Sequence, residues 1–311
     1  MTQPAVGEEV VYVESVKPRS DFLDVHGLRY HVRRWGEPGA PTLFMLHGWM
    51  DVSASFQFIV DALRGGWHVV APDWRGFGLS GWAQGAGYRL LDLYADLERI
   101  LDHYQPRGAV DLVGHSMGGN VAWLYAGIRP ARVRRVVSLD GYCGTPAEAG
   151  DYAAQCAYWL DRLAAPVALP SFASLDDVAG QLLARTPRMT VARARYLAAH
   201  WSQENADGRR TLRADPQHKR REPWRYPREQ IRALWRGVQA SVLHVEAGES
   251  RALENASGSA GPDALRQELD ALDGHCTVRF DTTGHMLHHE IPVQVAGAIE
   301  RFLGSSVRGA T

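Results

Sequence analysis

The chain has very little cysteine and very little lysine. Three cysteines, Cys143, Cys156 and Cys276, are scattered over 311 residues. An odd, sparse set without paired spacing excludes a disulfide framework and a cysteine-built zinc site, so the three read as small buried hydrophobes. Only Lys17 and Lys219 are lysines among the 34 basic residues. Neither sign of charge is in excess: the formal net charge is −1, which gives no global pull toward nucleic acid or an anionic membrane. No run approaches the roughly 18 apolar residues of a membrane span. The first 21 residues hold Glu8, Glu9, Glu14 and Lys17 but no apolar stretch like that of a secretory signal. Repeats and low-complexity tracts are absent too. These absences lead to the expectation of a soluble, cytoplasmic protein. With 45% hydrophobic and 22% charged residues, a chain of this length buries most of its apolar surface without staples.

What is present is a rhythm. Residues 22–25 and 28–35 read as two short strands about a turn at His26-Gly27. Residues 42–46, 68–71, 109–113, 133–139, 241–245 and 276–280 are short apolar runs, the pattern of strands buried on both faces. Between them, 56–63, 90–104, 120–128, 264–272 and 293–303 carry helical spacing. This alternation predicts an α/β fold, a mostly parallel, doubly wound sheet with helices on both faces. The rhythm breaks over 141–240, which is rich in aromatics and helical patterns but has no convincing buried strand. We expect residues 22–140 and 241–304 to form the core, 141–240 a helical cap inserted into it, and 1–21 a lead-in.

Gly114-His115-Ser116-Met117-Gly118 fits G-x-S-x-G directly after one apolar run and directly before a helix, the setting of a nucleophile elbow. So sharp a turn needs small neighbours and strains the serine backbone. It presents the hydroxyl at the carboxyl edge of the sheet, beside a helix N-terminus whose free N–H groups favour developing negative charge. A serine hydroxyl is a weak nucleophile and needs a general base. His285, in the loop after the last run, falls at the same edge. A tetrahedral oxyanion needs two preorganised donors; the backbone N–H groups of Trp49 and Met117 are the candidates. His47, Gly48, His115, Trp159 and Trp201 are candidate substrate-binding residues. His288 and His289 read as surface residues at a helix entry. A metal site from His285, His288, His289 and Glu290 is disfavoured, because adjacent histidines do not face one another on a helix. Asp73 and Arg75 read as structural, and the arginine-rich stretch 209–228, interleaved with acids, as a solvated ion-pair surface.

Residues 42–49, 73–80 (Asp-Trp-Arg-Gly-Phe-Gly-Leu-Ser), 114–119 (Gly-His-Ser-Met-Gly-Gly) and 284–290 resemble, in that order, the α/β-hydrolase fold superfamily. Within it the chain is loosely similar to the serine-hydrolase-like esterases, partly through 200–227. Haloalkane dehalogenases and epoxide hydrolases carry Asp where this chain has Ser116. The resemblance implies an α/β-hydrolase fold and a third, acidic site residue. Family members usually carry it on the loop after the strand at 241–245, but there this chain reads Glu246-Ala247-Gly248-Glu249-Ser250-Arg251, with Arg251 at the usual Asp position. An arginine can neither orient an imidazole nor stabilise its positive charge. Asp140, at the position some lipases and dehalogenases use, is the favoured replacement. Glu249 is the alternative acid, and Glu246 or no acid stays open. The implied function is a serine hydrolase with Ser116, His285 and Asp140 as catalytic residues, cleaving a small to medium apolar carboxylic ester through an acyl-enzyme. The same residues would also serve a C–C hydrolase, thioesterase, lactonase or amidase, or survive in a degenerate hydrolase that only binds a ligand. No cofactor or metal is implied. The expected partner is a small-molecule ester or acyl substrate, with no nucleic acid and no membrane, and nothing in the sequence sets the oligomeric state.

Overall fold

The computed structural model describes residues 11–84, 88–143, 152–220 and 227–304. Its strands are β1 (Arg19–Val25), β2 (Leu28–Trp35), β3 (Thr42–Leu46), β4 (His68–Pro72), β5 (Val110–His115), β6 (Val133–Leu139), β7 (Ser171–Phe172), β8 (Ser202–Glu204), β9 (Arg210–Leu212), β10 (Ser241–Ala247) and β11 (His275–Phe280). Eight of them form one sheet in the order β1-β2-β4-β3-β5-β6-β10-β11. β2 is antiparallel to both β1 and β4, and the other neighbours run parallel. Parallel strands need crossovers, and the helices Leu90–Tyr104, Met117–Ile128 and Pro262–Asp270 lie between successive parallel strands.

Alternate side chains of each strand feed two cores. From β3, Phe44 and Leu46 join the cluster with Trp123 and Val121 of the helix Met117–Ile128, whereas Leu43 and Met45 join Val295 and Ile299 of the closing helix Pro292–Gly304. This two-sided burial is why the strands read as continuous apolar runs. Two local expectations need correction. Residues 56–63 do not form one regular helix; a 3₁₀ turn Ser53–Phe56 leads into the short helix Gln57–Val60. Between β6 and β10, three strands, β7, β8 and β9, pair as a small antiparallel sheet. At two or three residues each, they are too short to show a period of two. A third apolar cluster joins Val178 and Leu182 of the helix Leu175–Arg185, and Leu197 and Trp201 of the helix Val191–Trp201, to Val52 and Phe58 after β3. The segment between β6 and β10 thereby rests on the core. Of the cysteines, only Cys143 is buried; Cys276 is exposed on the edge strand β11 and Cys156 half-buried. Among the described residues no helix is long and apolar enough to cross a membrane.

Asp73 and Arg75 hold the glycine-rich turn after β4. Asp73 accepts hydrogen bonds from the backbone N–H of Ser53 and Leu79 and from His31 Nδ1. A β-carbon at Gly78, where φ is +58°, would lie 2.1 Å from the Asp73 carboxylate, so the turn needs glycine there. Arg75 donates two hydrogen bonds, of 2.6 and 2.7 Å, to the fully buried Asp96, which also accepts from Tyr30 Oη. This network ties β2, the turn and the helix Leu90–Tyr104 together. Removing one partner of a buried ion pair strands the other charge. Asp96→Ala should therefore lower the unfolding free energy by about 3–5 kcal/mol, read as a shift of the urea midpoint at unchanged slope.

Candidate active site

β5 and β6 are neighbours, and their last residues, His115 and Leu139, stand in register. The next residue of each strand's path belongs to the candidate site: Ser116 after β5 and Asp140 after β6. Both have positive φ, +51° and +53°, conformations that cost a non-glycine residue of order 1–3 kcal/mol. The Ser116 N–H donates to the Leu139 carbonyl (2.9 Å), and the Asp140 N–H to the Val245 carbonyl (2.8 Å). The elbow closes only because side chains are missing. A β-carbon at Gly118 would lie 2.0 Å from the Leu46 carbonyl oxygen, and one at Gly114 2.3 Å from backbone atoms of Gly118. This close approach brings the loop after β3 against the serine: a β-carbon at Gly48 would meet Ser116 Cβ at 3.3 Å.

His285, in the loop after β11, completes the set. Its Nε2 lies 2.9 Å from Ser116 Oγ and its Nδ1 2.6 Å from Asp140 Oδ2. A carboxylate only accepts, so Nδ1 carries the proton and Nε2 is left as a lone pair facing the serine hydroxyl. Asp140 is buried, and its other oxygen accepts from the Ala247 N–H at 3.3 Å. A serine, an imidazole and a buried carboxylate in this relay can remove the serine proton and stabilise the resulting imidazolium.

The alpha/beta hydrolase fold family model matches residues 41–292. The chain belongs to the alpha/beta hydrolase fold family. It is 36% identical over 118 residues to a serine hydrolase-like protein of Danio rerio, covering 38% of this chain and 36% of that one. It is also 36% identical over 125 residues to epoxide hydrolase A of Mycobacterium tuberculosis, covering 40% of this chain and 38% of that one. The chain thus matches well under half the length of these curated relatives. Among solved structures, the thioesterase domain from the curacin biosynthetic pathway superposes with a TM-score of 0.81 at 24% identity, over 91% of this chain and 99% of that one; that likeness is one of fold.

This alpha/beta hydrolase carries a cavity of about 450 Å³ at the relay. Trp49, Met50, Asp51, His115, Ser116, His285 and Met286 line it from the core, and Leu182, Arg185, Trp201, Leu212 and Lys219 from the segment between β6 and β10. Its walls are chiefly apolar, with two cationic side chains among them. A second groove, about 460 Å³ and lined by Val11, Tyr12, Leu175 and Tyr196 among others, holds no serine–histidine pair.

Of the pocket candidates, Trp201 and His115 line the cavity, while Gly48 packs on His115 and Ser116. His47 does not reach the cavity. It is fully buried and fixes the turn after β4 by accepting from the Trp74 N–H at 2.9 Å. Trp159 lies on the helix Tyr152–Ala164, away from the cavity lining. The Glu249 carboxylate is engaged elsewhere, both imidazole nitrogens of His285 being met by Asp140 and Ser116. It pairs with Arg188 at 2.7 Å, and Arg188 also reaches Glu290 at 3.0 Å. Glu246 pairs with Arg266 and Arg279, and Arg251 with Glu254. His288 and His289, read from sequence as surface residues, are both buried. The short helix Leu287–Glu290 turns inward, stacking them near Phe56 and Phe58. Asp51 was not singled out from the sequence; the weak signal for it was its place two residues after Trp49.

This arrangement separates the two carboxylates kinetically. Asp140→Asn should lower kcat on an activated ester by about 10⁴, because the amide favours the wrong imidazole tautomer. Glu249→Gln should change kcat by less than about tenfold, the range left when only an exposed ion pair is lost. Steady-state kinetics on a p-nitrophenyl acyl ester decide it, and the opposite ranking would overturn the assignment.

Proposed function

We propose that this protein is a carboxylesterase-type serine hydrolase, acting on a small to medium apolar ester through an acyl-enzyme on Ser116. The observation that carries the reading is the continuous relay from Ser116 Oγ through His285 to the buried Asp140. In this mechanism Ser116 attacks the ester carbonyl as His285 Nε2 takes its proton. Asp140 holds the ring and balances the imidazolium. The backbone N–H groups of Trp49 and Met117 are assigned to the oxyanion. The first turn of a helix leaves its N–H groups without intrahelical acceptors, and Met117 begins the helix Met117–Ile128. The imidazolium then gives its proton to the leaving alcohol. Water, deprotonated by the same nitrogen, releases the acid.

Some curated relatives are named epoxide hydrolases. Chemistry speaks against that activity here. A serine that opened an epoxide would form an ether, which a histidine-activated water does not cleave, whereas a carboxylate would form a hydrolysable ester. The apolar walls supplied by Trp49, Leu182, Trp201 and Leu212 favour an apolar acyl or alkyl group, and the segment between β6 and β10 acts in this proposal as the cap over the cavity.

Ser116→Ala should lower kcat for p-nitrophenyl esters by about 10⁶, with an unchanged circular dichroism spectrum. A fluorophosphonate probe should label the wild type and leave the variant unlabelled. Ester turnover within about tenfold of wild type in the variant would overturn the nucleophile assignment.

A further inference from the structure

A second group of side chains meets beside the relay, and the proposed reaction does not use it. Asp51 lies in the loop after β3, His115 ends β5, and His288 sits on the short helix after His285. All three are buried, and one potential ligand atom from each lies within 4.8 Å of the others.

Their hydrogen bonding is incomplete in a particular way. His115 Nε2 lies 2.9 Å from the His285 carbonyl oxygen. A carbonyl only accepts, so Nε2 carries the proton and Nδ1 is a lone pair; that Nδ1 is buried with no partner. Asp51 Oδ1 accepts from the Val52 N–H, the Ser55 hydroxyl and Trp201 Nε1, while Asp51 Oδ2 has no donor. His288 Nε2 stands 3.9 Å from that oxygen, beyond hydrogen-bond reach, and neither of its ring nitrogens has a partner. Native interiors pair nearly all such groups. Two imidazoles and one carboxylate therefore converge with no hydrogen bond among them.

We infer that Asp51, His115 and His288 form a binding site for one divalent transition-metal ion of the zinc class. Two imidazole nitrogens and a carboxylate oxygen are a donor set that such ions take, with bonds of about 2.0–2.2 Å. Tetrahedral bonds of that length put ligand atoms roughly 3.4 Å apart, so the site contracts by up to about an ångström and a half on loading. The supporting contacts suit ligands. His115 would bind through Nδ1 while its opposite N–H is fixed by a carbonyl, and Asp51 is oriented by three donors on its other oxygen. Asp51 and His115 also line the cavity that holds Ser116 and His285, which supplies an entry path and leaves one side of the ion open. The three ligands come from a loop, a strand end and a short helix far apart in sequence, so no local spacing announces them. The inference does not depend on what Ser116 does.

The test uses the untagged full chain, stripped with a chelator. Zinc chloride is titrated by calorimetry and against a chromophoric indicator, and cobalt(II) is followed by visible absorption. The expected results are one ion per chain, an intense low-coordination cobalt spectrum and a rise in Tm with zinc. Asp51→Asn, which preserves shape, and His288→Gln should each weaken binding by at least the 10–100-fold typical of lost supporting contacts. Absence of stoichiometric binding in the wild type would overturn the site, with the cluster held together by a proton on His288 instead. Undiminished binding in the folded variants would overturn it equally. If a variant fails to fold, the wild-type stoichiometry and cobalt spectrum decide alone.

Discussion

Everything at the carboxyl edge of the sheet depends on one steric constraint: the backbone of the helix Met117–Ile128 must touch the end of β3. The Gly118 position lies so close to the Leu46 carbonyl that no β-carbon fits between them. Once that contact is made, the turn at Ser116 has room for only one shape, with φ at +51°. The strain is local, while the return is distributed. The serine hydroxyl is lifted clear of the sheet, the helix points its first N–H groups at the same space, and the loop carrying Gly48 and Trp49 is pressed against Ser116.

In the proposed relay the acid comes from the end of β6 and not from the loop after β10. His285 needs a carboxylate on its Nδ1 side, and two strand ends can supply it. In this chain β6 does so through Asp140, and the Ala247 N–H from β10 supports the carboxylate from the neighbouring strand. The loop after β10 is thereby released from the site. Its Glu249 instead engages Arg188 from the segment between β6 and β10, a contact that belongs to assembly and not to proton transfer.

The sheet was legible because its central strands are buried on both faces and its helices have one apolar side. The runs from Thr42 to Leu46 and from Val133 to Leu139 could hardly be read otherwise. The elbow was legible for a different reason: Gly114, Ser116 and Gly118 are dictated by backbone contact, so chemistry and sterics point to the same residues. What could not be read is whatever depends on tertiary placement. His288 and His289 look like surface residues until the short helix is seen to turn inward. His47 looks like a pocket residue, yet its imidazole is spent on the Trp74 backbone. The three short strands β7, β8 and β9 have no pattern of their own, because pairing between distant segments defines them. Asp51 carries only a weak local signal, since the side chains it meets, His115 and His288, lie far from it in sequence.

Arg188 has a consequence for access. Its guanidinium joins Glu249 and Glu290, and the same Glu290 oxygen that meets Arg188 also accepts the Gly284 N–H, one residue before the imidazole. Lifting the segment between β6 and β10 away from the sheet would leave the deeply buried Glu290 side chain without its countercharge. The ion pairs of Arg188 thus tie this segment to the loop that carries His285. If the segment between β6 and β10 acts as the proposed cap, an opening would be felt first at the backbone that carries His285.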